Sequence, residues 1–255
     1  MNLNILRIAW IAVRELLYER VFYILLCFAI LALGLSLLLG QMTYIEQYKL
    51  TVDFMVSAAE ISMVLFSIFA GIALFQRELT MGSVSMTLAK PISRTTFLLG
   101  KFVGQSLVQM AMVGGMLALT LLVTSAFRHP DVGAMAQTFW LIGLESIVLT
   151  SLCYFFAVNS GATTTAIISL CFFGLGHLRE SITENADHGS ATFQIWRVVK
   201  NLIPDLEVFN TKALASYGIT ISSAELGWAL VYCFVCVTFF LIMSALTFNM
   251  KDIPT

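Results

Sequence analysis

Charged residues are scarce in this sequence of 255 residues. Lys, Arg, Asp and Glu account for 11% of the chain, whereas a soluble domain carries about a quarter. Hydrophobic residues make up 59%, and the mean hydropathy is +0.89. A soluble core of this size cannot hide so much apolar surface, so the composition indicates a membrane protein. The formal net charge of -1 excludes a strongly basic nucleic-acid-binding protein, and we expect no nucleic-acid partner.

Residues that build disulfide, metal or catalytic sites are also few. All 5 cysteines lie inside apolar runs, which excludes a disulfide framework in the hydrophilic loops. His129, His177 and His188 are too scattered for a ligand-spaced metal motif. An acidic turn around Glu184 and Asp187 is interpreted as solvated rather than metal-binding. No nucleophile motif is recognisable, so we expect no catalytic residue, no metal site and no cofactor in this chain.

Proline is absent from every long apolar run of the sequence. Six runs are each able to cross about 30 Å of hydrocarbon as a helix. They are Val21 to Gly40, Phe54 to Phe75, Phe102 to Phe127, Thr138 to Val158, Ala162 to His177 and Leu226 to Phe248. The pattern predicts an all-α integral membrane protein with six transmembrane helices in a single domain spanning residues 1–255.

Residues 3–20 have a different, amphipathic pattern. Apolar side chains cover one side of the predicted helix, with Ile8 and Ile11 as exceptions, and Arg7, Arg14 and Glu15 lie on the other. Such a helix lies along the membrane surface rather than across it. A signal peptide is the alternative, but the run that follows ends without an Ala-x-Ala cleavage site. We therefore expect an interfacial helix followed by an uncleaved first span.

The distribution of basic residues predicts the orientation. The loop at residues 76–101 holds four of the 14 Lys and Arg residues, and such residues mark the cytoplasmic side of a membrane. With this loop inside, cytoplasmic positions outside segment 178–225 hold eight Lys or Arg residues, against only Lys49 and Arg128 outside. We expect a multi-pass protein of the bacterial plasma (inner) membrane with both termini in the cytoplasm.

Two motifs resemble a known family. The first is the order of Glu78, Gly82, Pro91-Ile92-Ser93-Arg94 and Gly100-Lys101, in which the Ser93 hydroxyl can cap the next helix. The second is Pro204-Asp205-Leu206-Glu207-Val208-Phe209-Asn210, before the last span. The first resembles the first cytoplasmic loop of type-2 ATP-binding-cassette (ABC) exporter permeases, and the second is similar to a Pro-Asn-Leu-Glu-x-Phe-Asn segment in one branch of that family. Asp205 replaces the usual Asn, and Ser83 stands where Thr is common.

The resemblance implies a permease subunit of an ATP-driven exporter. A second copy, or a homologous permease, would complete the translocation pathway within the membrane lipid. Two cytosolic ABC ATPase subunits would bind ATP and Mg and dock on the coupling loop at residues 76–101 through Glu78, Gly82 and Arg94. A periplasmic accessory protein is a further candidate partner. Alternatively, Arg94 anchors the third span and Gly82 ends a turn.

Two further segments acquire roles from the same resemblance. Residues 3–20 would be the elbow helix that precedes the first span. The external loop at residues 178–225, with the motif residues Pro204, Asp205, Glu207 and Asn210, would form short re-entrant or surface helices that cap the outer end of the pathway. An ordinary external loop is the alternative. Within this loop, the spacing of its apolar residues predicts an amphipathic helix over 191–202.

Two acidic residues, Glu60 and Glu145, lie inside predicted spans that run in the same direction. Counting about 1.5 Å per residue places both carboxylates about 13 Å below the outer surface. Because the predicted spans hold no Lys or Arg to pair with them, each carboxylate should face the protein interior or a water-filled cavity. They are candidates for the pathway or a gate, and a structural hydrogen bond to a neighbouring helix is the alternative.

Other functional classes are less consistent with the residues. The chain cannot be its own P-loop ATPase, because Gly100-Lys101 is followed by Phe102 and Thr95 replaces the first glycine of the motif. An ion-coupled secondary transporter would favour an inverted repeat, and none is convincing. A membrane-embedded enzyme or a non-catalytic assembly factor is the remaining alternative, and the sequence shows no polar catalytic cluster.

Overall fold

The computed structural model describes residues 2–41, 47–81, 93–125, 131–185 and 203–250. These residues form helices, and no strand occurs among them. The helices are α1 (Asn2–Tyr18), α2 (Arg20–Gln41), α3 (Gln47–Met81), α4 (Arg94–Ser125), α5 (Val132–Asn159), α6 (Ala162–Asn185), a 3-10 turn (Glu207–Phe209), α7 (Lys212–Tyr217) and α8 (Ser223–Met250). The predicted all-α class is confirmed.

Four of these helices are long and apolar enough to cross a membrane within the described part of the chain. They contain the segments Tyr48–Phe75, Arg94–Ser125, Val132–Asn159 and Ser223–Met250. The first and fifth predicted runs fall on α2 and α6, which are helical. That these two helices also cross the membrane, for a total of six spans, stays a prediction.

Hydrogen bonds at the helix ends explain why the helices exceed the apolar runs. Helix α4 begins at Arg94, eight residues before the apolar run that starts at Phe102, because Ser93 Oγ accepts the Thr96 N–H at 3.2 Å. The predicted Ser93 cap is therefore confirmed. Helix α5 starts in the same way, since Asp131 Oδ1 accepts the N–H groups of Gly133 and Ala134 at 3.1 and 3.2 Å. Polar capping residues define helix ends, whereas hydropathy defines only the part that lipid can surround.

Helix α5 lies at the centre of the bundle. In its apolar segment 83% of the residues are buried, compared with 28% in α8. Helices α3, α4, α6 and α8 all pack against α5. The difference in burial arises because α8 turns side chains such as Phe234, Phe239 and Ile242 outward, where only lipid or another protein can cover them.

The amphipathic helix α1 packs against α4. Its buried stripe of Ile8, Ala9, Ala12 and Leu16 contacts α4, and its Glu15 carboxylate pairs with the buried Lys101 ammonium. The helical wheel placed Ile8 off the apolar side, and that assignment was wrong because Ile8 fits against Gly100 of α4. A second apolar stripe that includes Trp10 is exposed. Its position along the membrane surface stays a prediction.

The segment from Ile203 to Tyr217 turns back toward the bundle. Ile203, Leu206, Phe209 and Ala215 are buried, and α7 packs on α3 and α5. Short helical elements therefore lie in this part of segment 178–225, as expected, while their re-entry into the membrane stays a prediction. Helix α6 continues to Asn185, beyond the predicted end at His177. The amphipathic helix predicted over 191–202 lies outside the described residues.

Candidate functional site

The two membrane acids, Glu60 and Glu145, converge on one histidine. Glu60 projects from α3 and Glu145 from α5, and each residue is only 2% exposed. His177 of α6 places its Nε2 atom 2.8 Å from Glu145 Oε1 and 3.4 Å from Glu60 Oε1. Because both carboxylates reach the same nitrogen, the acids lie at one level, as the sequence predicted. Both also face the protein interior, as expected for carboxylates in apolar helices.

The second ring nitrogen of His177 contacts the second motif, Pro204 to Asn210. His177 Nδ1 lies 3.1 Å from Glu207 Oε2, within hydrogen-bonding distance. Glu207 is held in turn by Asn210, whose Nδ2 donates to Glu207 Oε1 at 2.8 Å. Two features that are far apart in the sequence, the membrane acids and the second motif, therefore form a single hydrogen-bonded network.

Lys212 completes this network at the start of α7. Its ammonium group pairs with Glu60 Oε2. We call Glu60, Glu145, His177, Glu207 and Lys212 the acid–histidine cluster. The predicted spans hold no Lys or Arg, and the cation that pairs with Glu60 comes from a segment outside those spans.

The remaining residues of the second motif attach the segment from Ile203 to Tyr217 to the bundle, and we call it the outer segment after its predicted position. Pro204 is buried. Asp205 Oδ2 lies 3.3 Å from Arg179 Nη1 of α6, and the Asp205 N–H donates to the Tyr232 hydroxyl of α8 at 2.6 Å. The ion pair gives a physical reason for Asp at this position, because an Asn side chain carries no charge to pair with Arg179.

The predicted coupling residues are only partly described. Glu78 lies within α3, but its side chain, like all of Gly82, is outside the described part of the structure. Arg94 Nη1 donates to the Phe248 carbonyl at 2.9 Å, and the guanidinium stands 5.7 Å from the Phe248 ring centroid. Arg94 thus fastens the start of α4 to the end of α8, which favours an anchoring role. Its contact with an ATPase stays a prediction.

A buried polar band that the sequence analysis did not identify joins α3, α4 and α5. Gln109 Nε2 donates to Ser67 Oγ at 2.9 Å and to Thr150 Oγ1 at 2.7 Å. One turn earlier on α4, Gln105 accepts the Tyr154 hydroxyl at 3.0 Å. Two glutamines four residues apart in an apolar run were the available signal, since i and i+4 share a helix face.

The acid–histidine cluster also contains a group of possible metal ligands. One ligand atom from each of Glu60, Glu145 and His177 lies within 4.8 Å of the other two. These three residues come from three helices, so no closely spaced ligand motif in the sequence indicates the group. His177 was visible only as a polar residue at the end of an apolar run, and Lys212 gave no signal.

Comparison with known proteins supplies the family. No individually curated protein matches the sequence. A family model described as "ABC-2 family transporter protein" matches residues 6–176, from α1 to most of α6. The match covers more than half of the chain and agrees with the long apolar helices and with the motif of the first loop. Together these observations show that the chain belongs to the ABC-2 family of transporter proteins, the membrane component of an ABC transporter.

Proposed function

We propose that this chain is the membrane-spanning permease subunit of an ATP-driven exporter. Two copies, or one copy and a homologous permease, form the translocation pathway, and two separate cytosolic ATPase subunits bind ATP and Mg. The family match over residues 6–176 is the observation that carries this proposal. The lack of a P-loop in the sequence supports a separate ATPase chain.

The lengths of α3 and α4 suggest how movement of the ATPase is transmitted from the coupling loop to the acid–histidine cluster. The two helices have 35 and 32 residues, and both extend into the coupling loop at residues 76–101, because α3 ends at Met81 and α4 begins at Arg94. From Met81 at the loop end of α3 to Glu60, the helix rises about 32 Å at 1.5 Å per residue. A continuous helix of this length moves largely as one body, so an ATPase that pushes on the loop displaces Glu60 in the cluster.

The acid–histidine cluster is the proposed gate. It joins α3, α5 and α6 to the outer segment through His177 and Glu207. An outward opening that lifts this segment has to separate Glu207 from His177 or Lys212 from Glu60. Hydrogen bonds to charged groups contribute about 1.5–3 kcal/mol each, so both contacts favour the closed arrangement. Glu60 and Glu145 would thus act by holding the gate closed.

The docking of the ATPase is tested by two substitutions in the coupling loop. Gly82→Trp blocks close backbone approach, and Glu78→Arg reverses a charge that would hydrogen-bond at the edge of the ATPase groove. Each variant should insert into the membrane, co-purify poorly with its ATPase and lose transport-coupled ATP hydrolysis. Asp53→Arg, at an exposed acid near the other end of α3, is the matched control and should behave as wild type. Normal co-purification and hydrolysis in both loop variants would exclude this docking role.

A further inference from the structure

We propose that Glu60, Glu145 and His177 form a binding site for one divalent first-row transition-metal ion such as Zn²⁺. The site is distinct from ATP and Mg binding, which belongs to the partner ATPase. It does not rest on the proposed export function, because metal binding by the isolated chain is measured directly.

The spacing of the ligand atoms fits a tetrahedral ion. Metal–ligand bonds of about 2.0 Å place tetrahedral ligands about 3.3 Å apart. His177 Nε2 lies 2.8 Å from Glu145 Oε1 and 3.4 Å from Glu60 Oε1, and one ligand atom from each of the three residues lies within 4.8 Å of the other two. Three helices supply one ligand each, so α3, α5 and α6 hold the arrangement. Small side-chain adjustments would therefore bring all three atoms to bonding distance of one ion.

The contact between His177 and Glu207 is of the kind that metal-bound histidines make with a neighbouring carboxylate. A metal-bound histidine usually donates its second ring N–H to a carboxylate, which fixes the tautomer and the ring orientation. Here Glu207 Oε2 lies 3.1 Å from Nδ1, and Asn210 holds Glu207 in place. In the neutral ring, donation from Nδ1 leaves the lone pair on Nε2, the atom that faces both membrane carboxylates.

An unsatisfied oxygen points into the same space. Glu60 Oε2 pairs with Lys212, but Glu60 Oε1 is buried and accepts no hydrogen bond beyond its 3.4 Å contact with His177. A buried carboxylate oxygen without a donor is costly, and a cation would satisfy it. The cluster contains three carboxyl groups but only two basic groups, those of His177 and Lys212, so acidic groups outnumber basic ones.

The donor set indicates the type of metal. Ca²⁺ and Mg²⁺ prefer six or more oxygen ligands, whereas one imidazole with two carboxylates suits Zn²⁺ and neighbouring first-row ions. Three protein ligands also leave a coordination position open. A bound ion would cross-link α3, α5 and α6 and, through Glu207, strengthen the attachment of the outer segment.

The test uses the purified full-length chain with an affinity tag that contains no histidine. The protein is loaded with Zn²⁺ and desalted, its metal content is measured by mass spectrometry, and its affinity is measured by competition with a chromogenic chelator. Wild type should retain about one Zn²⁺ per chain. His177→Ala and the isosteric Glu145→Gln should lose this ion, and Glu207→Gln should weaken binding about 10- to 100-fold. Glu225→Gln, at an exposed outer acid, should retain it.

Two further measurements do not depend on the folding of the ligand variants. Co²⁺ bound to wild type should give the intense visible absorption of a four- or five-coordinate site with a nitrogen ligand. Lys212→Met removes the ammonium group that pairs with Glu60 and would compete with the metal ion. This variant should bind Zn²⁺ at least as tightly as wild type. Equal retention of Zn²⁺ by wild type, His177→Ala and Glu145→Gln, or no saturable binding by wild type, would overturn the proposal.

Discussion

Glu60 and Glu145 show how acidic residues are accommodated within apolar helices. A carboxylate at membrane depth is costly unless it finds a cation or a strong hydrogen-bond donor. Here His177 serves both acids, and Lys212 reaches Glu60 from a helix outside the predicted spans. The contact between Glu145 and His177 of α6 is also compatible with the alternative raised for these acids, a structural hydrogen bond to a neighbouring helix.

The gating role of these acids is tested by neutral substitutions. Glu60→Gln and Glu145→Gln keep side-chain size and hydrogen-bonding ability but remove the charge. Losing a charge-assisted contact worth about 1.5–3 kcal/mol should change ATP turnover by the assembled permease–ATPase complex about tenfold or more. Turnover is measured across pH 6 to 8 in membranes or nanodiscs.

Asp53→Asn is the control for these substitutions, because Asp53 is an exposed acid on the same helix as Glu60. It should leave turnover unchanged. If both Gln variants assemble and turn over at the wild-type rate at every pH, charge at these positions has no role in the cycle. Only a packing role for the two acids would then remain.

At the scale of secondary-structure elements, glycine determines how closely α1 approaches α4. A Cβ atom added at Gly100 would lie 2.6 Å from Ile8 Cβ, and one at Gly104 would lie 2.5 Å from the Ala9 carbonyl oxygen. One turn apart on α4, the two glycines form a shallow groove for α1. The motif Gly100-Lys101, which the sequence analysis assigned to the coupling loop, therefore also attaches the amphipathic helix, since Lys101 pairs with Glu15.

This packing predicts that the same substitution affects thermal stability differently at two positions on α4. Gly104→Ala should lower the thermal stability of the purified protein, because an overpacked helix contact costs about 1–3 kcal/mol. Gly114→Ala is the matched control, because apart from its chain neighbours and the backbone of its own helix no atom lies within 4 Å of the added methyl group. It should leave stability unchanged or raise it by up to about 1 kcal/mol through helix propensity. Equal unfolding temperatures for the two variants would contradict the close α1–α4 contact.

At the scale of the whole molecule, the distribution of charged residues predicts the orientation in the membrane. The excess of Lys and Arg on one side predicts that the coupling loop is cytoplasmic and the outer segment external. In the structure, two groups of contacts lie at opposite ends of the helices. The α1–α4 ion pair and the Arg94–Phe248 contact lie at one end of the helices, and the acid–histidine cluster lies toward the other.

Cysteine labelling tests this orientation. Ala186→Cys and Ser83→Cys are introduced singly in a background without Cys27, Cys153, Cys171, Cys233 and Cys236. In intact cells, an impermeant thiol reagent should label the cysteine at 186 and leave the cysteine at 83 unlabelled, because the membrane shields the cytoplasmic loop. Permeabilised cells provide the control, in which both positions should react. The reverse pattern in intact cells would overturn the orientation.

The sequence by itself determined the class of the protein, most of its helices and the placement of Glu60 and Glu145 at one level in the protein interior. Hydropathy and helix capping act over neighbouring residues, so α3, α4, α5 and α8 and the start of α4 at Ser93 were readable from local pattern. The same pattern could not show that Gly104 admits α1, because close packing depends on a distant helix. It also could not join Glu60, Glu145 and His177, which lie on three helices. Only the tertiary structure decided which residues contact these two acids, because a buried acid is stabilised by the partners that helix packing brings near it.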